Sequence, residues 1–419
     1  MRKMTYVARL RCSKCGRTYT PHDRVLTCER DEGRLDVEYE YDSLVSEVNR
    51  DLFERRRGGL WKYRELLPID NEQNIVTLGE VQTPLLTCQR LGKLLGLRNL
   101  YVKDETKNPT ASFKDRPMTV GVSKAVELGF DTVASASSGN AAAALAAYSA
   151  RAGLACYTFV PEMASPGKIA QLNMFGAHVV RLRGLESGVD PTVTMLKLVC
   201  ERFGWYPCPS FGPFNPYQAE GPKTMSYEII EQLGWKPPDW VFAGVGAGGL
   251  LAGNWKGYRE FKRLGFVEGL PRMVAVQSTG CAPVVRAFEE KMDPQNITPW
   301  EHPDSIATGL LDPYPWDGDA ALKALRESSG TAVRVSNEEI IEAQRMLAKM
   351  EGVFAEPSGV AALAGLVKLK NEGKIPSDDC IVVEITGSGL KDLAAIGRAE
   401  SPLIDPNLNE LQKVLGLNK

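Results

Sequence analysis

Short apolar runs alternate with stretches of helical spacing along most of this chain, and three of those runs end in clusters of glycine and small polar residues. That alternation constrains the fold more than any other feature. A strand buried on both faces needs helices above and below it, and strands joined through helices pair in parallel. Strands are expected at Asn99–Val102, Thr132–Ala136, Ala155–Val160, Val179–Leu182, Trp240–Ala243 and Cys380–Ile385. Helices are expected at Met118–Leu128, Ala141–Ala152 and Lys168–Phe175, with another running from the glycines at 246–249 through Lys262. The implied class is α/β, with parallel sheets covered by helices on both faces. In such sheets ligands bind beyond the carboxyl ends of the strands. The clusters at 137–140, 244–249 and 386–389 are therefore expected to converge on one crevice.

The chain has 419 residues, which at about 150 per domain suggests two or three domains. Hydrophobic residues make up 43% and the net charge is −2, which excludes wholesale disorder and argues against a nucleic-acid partner. The opening residues lack a secretory apolar core. The most apolar stretch, Ala141–Val160, is broken by Ser149 and Arg151, so no membrane span is expected. Nine cysteines, scattered apart from Cys12 and Cys15, suggest a reducing, cytoplasmic setting.

Two segments carry chemistry on their own residues. The loop Gly244-Val245-Gly246-Ala247-Gly248-Gly249 joins a strand to a helix. Its amides could approach a phosphate at the helix N-terminus, although a plain tight turn accounts for it equally well. It is neither a G-x-G-x-x-G fingerprint with a following acid nor a Walker loop. The segment Asn108-Pro109-Thr110-Ala111-Ser112-Phe113-Lys114-Asp115-Arg116 turns from loop into helix, placing Lys114 in the first helical turn. The helix dipole there disfavours an ammonium, which suits a Schiff-base lysine. An ordinary surface lysine is the alternative.

Taken in order, N-P-T-A-S-F-K-D-R, S-S-G-N-A, V-G-A-G-G, E-P-S-G and T-G-S-G-L-K-D resemble the threonine synthases among the fold-type II pyridoxal-phosphate enzymes, over roughly Val81 to Leu393. The resemblance implies a catalytic unit at 76–405, with a large lobe at 76–110 and 216–405 and a small lobe at 111–215. A cysteine-containing, zinc-ribbon-like appendage and helical lead-in would occupy 1–75, and a tail 406–419. It also implies a lyase that turns O-phosphohomoserine and water into threonine and phosphate. The alternative within the same frame is elimination or replacement at the β-carbon of another amino acid. A ligand sensor without catalysis is a third reading. Lys114 matches the lysine that holds pyridoxal phosphate and shuttles protons, with Phe113 before it. Asn140 matches the partner of the cofactor's phenolic oxygen. Val245, Gly246, Ala247, Gly248 and Gly249 match the phosphate cradle, and Thr386 the hydroxyl facing the pyridine nitrogen. Ser112, Ser138, Gln218 and Lys223 fall where the substrate is expected. Glu356 reads as an acid at a helix start, and Lys168 with Gln171 as shaping the small lobe. A homodimer is the expected assembly.

The chain departs from that family where a substrate phosphate would bind. Gln218 stands in place of an arginine, Pro213 and Phe214 replace a small polar pair, and Ala141 replaces a threonine. Glutamine lacks the charged fork that makes arginine a phosphate ligand. Ala111 and Pro117 replace glycines around Lys114. The N-terminal segment is similarly incomplete. Cys12, Cys15 and Cys28 supply three ligands of a ribbon that needs four, with Asp31 or His22 as the candidate fourth. Bound zinc and a metal-free remnant are both open on the sequence.

Overall fold

The computed structural model describes residues 4–162, 164, 166–183, 190–393 and 401–416. Its strands are β1 (Val7–Cys12), β2 (Thr18–Tyr19), β3 (Leu35–Tyr39), β4 (Leu85–Thr87), β5 (Asn99–Asp104), β6 (Thr132–Ser135), β7 (Ala155–Pro161), β8 (His178–Leu182), β9 (Tyr206–Pro207), β10 (Trp240–Gly244), β11 (Arg272–Ser278), β12 (Thr331–Val335) and β13 (Cys380–Ile385). They form three sheets. The larger has the order β12-β11-β10-β13-β5-β4, and every pairing is parallel except that of the edge strand β4. The smaller has the order β8-β7-β6-β9 and is parallel throughout. The ribbon, β2-β1-β3, is antiparallel.

The parallel α/β class expected from the alternation is what the chain forms. The central strands read as apolar runs because both faces are covered: Val241, Phe242, Ala243 on β10 and Ile381, Val382, Val383 on β13 are all fully buried. Helix Asn140–Ala152 is mostly alanine and buried along most of its length, from Ala141 to Ser149. Small side chains let it pack closely against helix Asp115–Glu127 and the sheet. Pro117 fits near the start of helix Asp115–Glu127, where the missing N–H would be unpaired in any case. Among the described residues no helix is long and apolar enough to cross a membrane.

The ribbon alternates as a half-covered sheet should, with Leu35, Val37 and Tyr39 buried and Asp36 exposed. Its inward face is not self-contained. Leu10, Val37 and Tyr39 share one apolar core with Trp255, Tyr258 and Phe261 of helix Gly249–Arg263 and with Val241 of β10. The segment that reads as an appendage is thus built into the core beside the larger sheet.

Candidate active site

The turns after β6, β10 and β13 and the longer loop after β5 face one cavity of about 320 Å³. Phe113, Lys114, Ser138, Asn140, Ala141, Gln218, the 245–249 loop and Thr386 all line it. Residues separated by more than 250 positions therefore meet, as the strand-end clusters predicted.

Lys114 is the residue immediately before helix Asp115–Glu127 rather than within its first turn. Its Nζ donates to Ser210 Oγ at 2.7 Å and sits 4.7 Å from the centre of the Phe113 ring. Burial pushes the ammonium down to about 8, against the opposing pull of Asp317 and Asp312. The amine is loosened chiefly by desolvation, where the sequence had suggested the helix dipole.

The 245–249 loop leads into the fifteen-residue helix Gly249–Arg263. Among the described residues no backbone acceptor takes the amides of Gly246, Ala247 or Gly248. The reason for glycine is different from the one expected. Gly248 has φ +108°, and a Cβ there would lie 2.8 Å from Asp317 O, while one on Gly249 would lie 2.9 Å from Asp317 Oδ2. The missing side chains make room for the Asp317 segment, and the free amides are left for a ligand.

Asn140 starts its helix, and its Nδ2 donates to Glu356 Oε1 at 2.6 Å. Glu356 is a correction to the sequence reading. It stands at the start of helix Pro357–Asn371, but its side chain caps nothing there. It turns into the cavity instead, where burial raises its pKa while the Asn140 bond opposes the rise. Lys168, expected to shape the small lobe, sits in helix Pro166–Met174 between β7 and β8, lines the cavity and donates to Thr308 Oγ1 at 3.1 Å. Thr386 borders the cavity while its carbonyl accepts the Phe113 N–H at 2.9 Å, tying the lysine loop to β13.

Three expected substrate residues are buried, two of them with their side chains engaged elsewhere. Lys223 is fully buried and pairs with Glu220 and Glu260 at 2.7 and 3.0 Å, away from the cavity. Ser112 is also fully buried, with its backbone bridged to Gly387. Gln218 borders the cavity, but Oε1 accepts from Ser210 N at 3.1 Å and Nε2 donates to Phe211 O at 2.9 Å. Its amide therefore braces the 208–211 loop. The sequence reading missed Ser210, Asp190, Asp312 and Asp317, all cavity-lining. Burial raises Asp312 to about 8 and Asp317 to about 6. In the ribbon, Cys12, Cys15, Cys28 and Asp31 come together with one ligand atom each within 4.8 Å of the others, and His22 is not among them.

Residues 76–387 match the family model described as pyridoxal-phosphate dependent enzyme. Threonine synthase of Methanocaldococcus jannaschii is 42% identical over 408 residues, covering 97% of this chain and 98% of the relative. Threonine synthase of Methanosarcina acetivorans is 41% identical over 409 residues, with the same coverage of 97% and 98%. Among solved structures, the processed form of threonine deaminase isoform 2 from Solanum lycopersicum shares the fold, with a TM-score of 0.61 and 24% identity over 77% of this chain and 87% of that one.

Proposed function

The chain belongs to the pyridoxal-phosphate-dependent enzymes, and we infer that it is a threonine synthase, a lyase that converts O-phosphohomoserine and water to threonine and phosphate. The observation that carries this reading is identity to threonine synthases along nearly the whole chain. The cavity fits the cofactor. It presents a buried amine at Lys114 and, in the same space, amides at 246–248 that no backbone acceptor takes among the described residues, ahead of a long helix. An amine and an anion cradle are what an aldehyde bearing a phosphate requires. When bound, pyridoxal phosphate supplies an electron sink for the carbon skeleton of an attached amino acid.

The chain's own residues then divide the work. Lys114 anchors the cofactor, and a pKa of about 8 lets its Nζ both take up and return a proton near neutral pH. Gly246, Ala247 and Gly248 hold the phosphate through backbone N–H groups and the positive end of the helix that opens at Gly249, whereas the Val245 N–H, expected in the cradle, is donated to Val276 O at 2.9 Å. Phe113 flanks the lysine, Asn140 serves the phenolic oxygen, and Thr386 offers a hydroxyl to the ring nitrogen. A hydroxyl leaves that nitrogen unforced toward protonation, which moderates the sink. Ser138 and the first amides of helix Asn140–Ala152 take the substrate carboxylate. With Gln218 engaged by its own loop, Lys168 takes the departing phosphate; it and Lys114 are the cationic side chains lining the cavity among the described residues. The reading includes a homodimer and a cytoplasmic setting, the latter supported by nine free cysteines.

Incubating the purified holoenzyme with O-phosphohomoserine tests the assignment. Threonine and phosphate are expected in equal amounts. No phosphate release at saturating substrate, with ammonia formed from serine or threonine instead, would move the chain to the deaminating branch of the same family.

A further inference from the structure

The ribbon carries four side chains that the reaction does not use. Cys12 ends β1, Cys15 follows in the next turn, and Cys28 and Asp31 lie in the loop before β3. Their spacing discriminates between kinds of centre. Around one tetrahedral zinc ion, with Zn–S about 2.3 Å and Zn–O about 2.0 Å, two sulfurs stand about 3.8 Å apart and a sulfur and an oxygen about 3.5 Å. Here Cys15 Sγ and Cys28 Sγ are 3.7 Å apart, and Cys12 Sγ is 3.3 Å from Asp31 Oδ1. An iron–sulfur cluster places inorganic sulfide between its irons, so ligands on different irons stand farther apart than here, where all four ligand atoms lie within 4.8 Å of one another.

The surroundings are arranged around the same point. The amides of Lys14 and Cys15 donate to Cys12 Sγ at 3.4 and 3.5 Å, and Tyr19 Oη lies 3.3 Å from Cys28 Sγ. Gly33 N donates to Asp31 Oδ1 at 2.9 Å. A Cβ on Gly33 would lie 2.7 Å from Cys12 Sγ and 2.8 Å from Asp31 Oδ1, so a side chain would push two of the four groups out of place. Such outer contacts orient ligands and hold them for the metal.

We propose that Cys12, Cys15, Cys28 and Asp31 bind one zinc ion, and that the ion braces a wall of the catalytic cavity through Arg34. Binding ejects the three thiol protons to solvent and leaves three thiolates and a carboxylate on the metal. Arg34 follows the ligand loop directly. Its carbonyl accepts from Ser13 N at 2.9 Å, between the two halves of the site. Its Nη1 lies 2.6 Å from Asp319 Oδ1 and 3.9 Å from Asp317 Oδ1. Asp317 lines the cavity and accepts the Gly212 N–H at 3.1 Å. The route runs from the ion through the 31–34 loop to the Asp317 segment and the 208–212 loop that holds Ser210 against Lys114.

Metal content of the full-length protein, loaded with zinc and dialysed, tests the first half. About one zinc per chain is expected, with Cys28→Ser losing it and Asp31→Asn holding it at least about tenfold more weakly against a chromophoric chelator. Asp31→Cys is expected to keep the ion, which guards against a variant that merely misfolds. A wild-type chain that retains no zinc, or Asp31→Asn binding as tightly as wild type, overturns the site. The second half is read on the unmutated protein by hydrogen exchange. Stripping zinc with a chelator is expected to speed exchange at least about tenfold in segments 208–214 and 315–320. Unchanged exchange there overturns the brace. Neither measurement depends on the identity of the substrate.

Discussion

At Lys114 burial and two carboxylates act in opposite directions, and burial prevails, leaving the amine near 8 instead of the ordinary 10.5. Only the neutral amine can bond to an aldehyde. Uptake of pyridoxal phosphate by the apoprotein should therefore rise about tenfold per pH unit below 8 and level off above it, followed by absorbance after rapid mixing. A rate that is flat across that range would refute the assignment. Lys114→Ala should give a chain with no adduct after borohydride and activity lower by at least about a thousandfold. Lys168 makes a different prediction, because it is assigned to the substrate's charge. Lys168→Ala should raise KM for O-phosphohomoserine by about tenfold or more, the worth of one charge-assisted hydrogen bond, while the cofactor spectrum stays unchanged. Lys114, Asn140 and Thr386 were legible as cavity residues because each sits beside a strand end or helix start, while the roles given to them rest on the family resemblance. Asp312, Asp317 and Ser210 were not, since they come from irregular loops whose approach to Lys114 depends on how the two parallel sheets and their helices pack. Glu356 was legible as a helix start but not as a cavity wall, because its orientation is set by Asn140, 216 positions away.

The elements that present these residues are held by buried ion pairs. Arg116, two residues beyond Lys114, donates to Glu105 at 2.7 Å and to Glu228 at 2.7 Å, while Lys103 of β5 donates to the same Glu228 at 2.7 Å. All four side chains are almost fully buried. The network fixes helix Asp115–Glu127 to β5 on one side and to helix Thr224–Gln232 on the other. Removing one charge leaves the others uncompensated out of water. Glu228→Gln should destabilise the protein by about 3–5 kcal/mol in denaturant unfolding. A loss of only a few tenths would mean that the pairs contribute nothing net and that apolar packing alone sets the helix. The approach to the lysine helix shows a limit of local reading. Ala111 stands where the family has glycine, and its φ is +61°, in the left-handed region that costs a side-chain-bearing residue about 1–2 kcal/mol. The substitution was visible in the sequence, but the conformation that makes it costly was not. That turn is held by Ala111 N donating to Asn108 O at 2.8 Å and by Ser388 N donating to Ala111 O at 3.0 Å, and the second of these is remote in sequence.

On the scale of the whole molecule, the alternation of strands and helices carried the α/β class, because both faces of each parallel strand must be covered and the chain shows it as unbroken apolar runs. The same reasoning set the ribbon apart, since its text is charged and its strands are short. What joins it to the rest of the chain is spread over distant positions. Tyr39 Oη donates to Glu220 Oε2 at 2.9 Å, Lys256 Nζ donates to Val37 O at 2.6 Å and to Glu220 Oε1 at 2.6 Å, and Tyr41 Oη donates to Glu260 Oε1 at 2.7 Å. Beneath these polar contacts lies the apolar core shared with helix Gly249–Arg263. A chain lacking residues 1–40 would expose that helix face and take a hydrogen-bond donor from buried Glu220. Burying even two of the lost side chains is worth about 3–6 kcal/mol. The shortened protein should melt on the order of 3–7 °C below the full chain by calorimetry, since at about 2 cal/mol/K of unfolding entropy per residue each kcal/mol moves the midpoint of a chain this long by about 1 °C. An unchanged midpoint would show instead that the ribbon folds and unfolds independently, and that the two parallel sheets and their helices supply their own core.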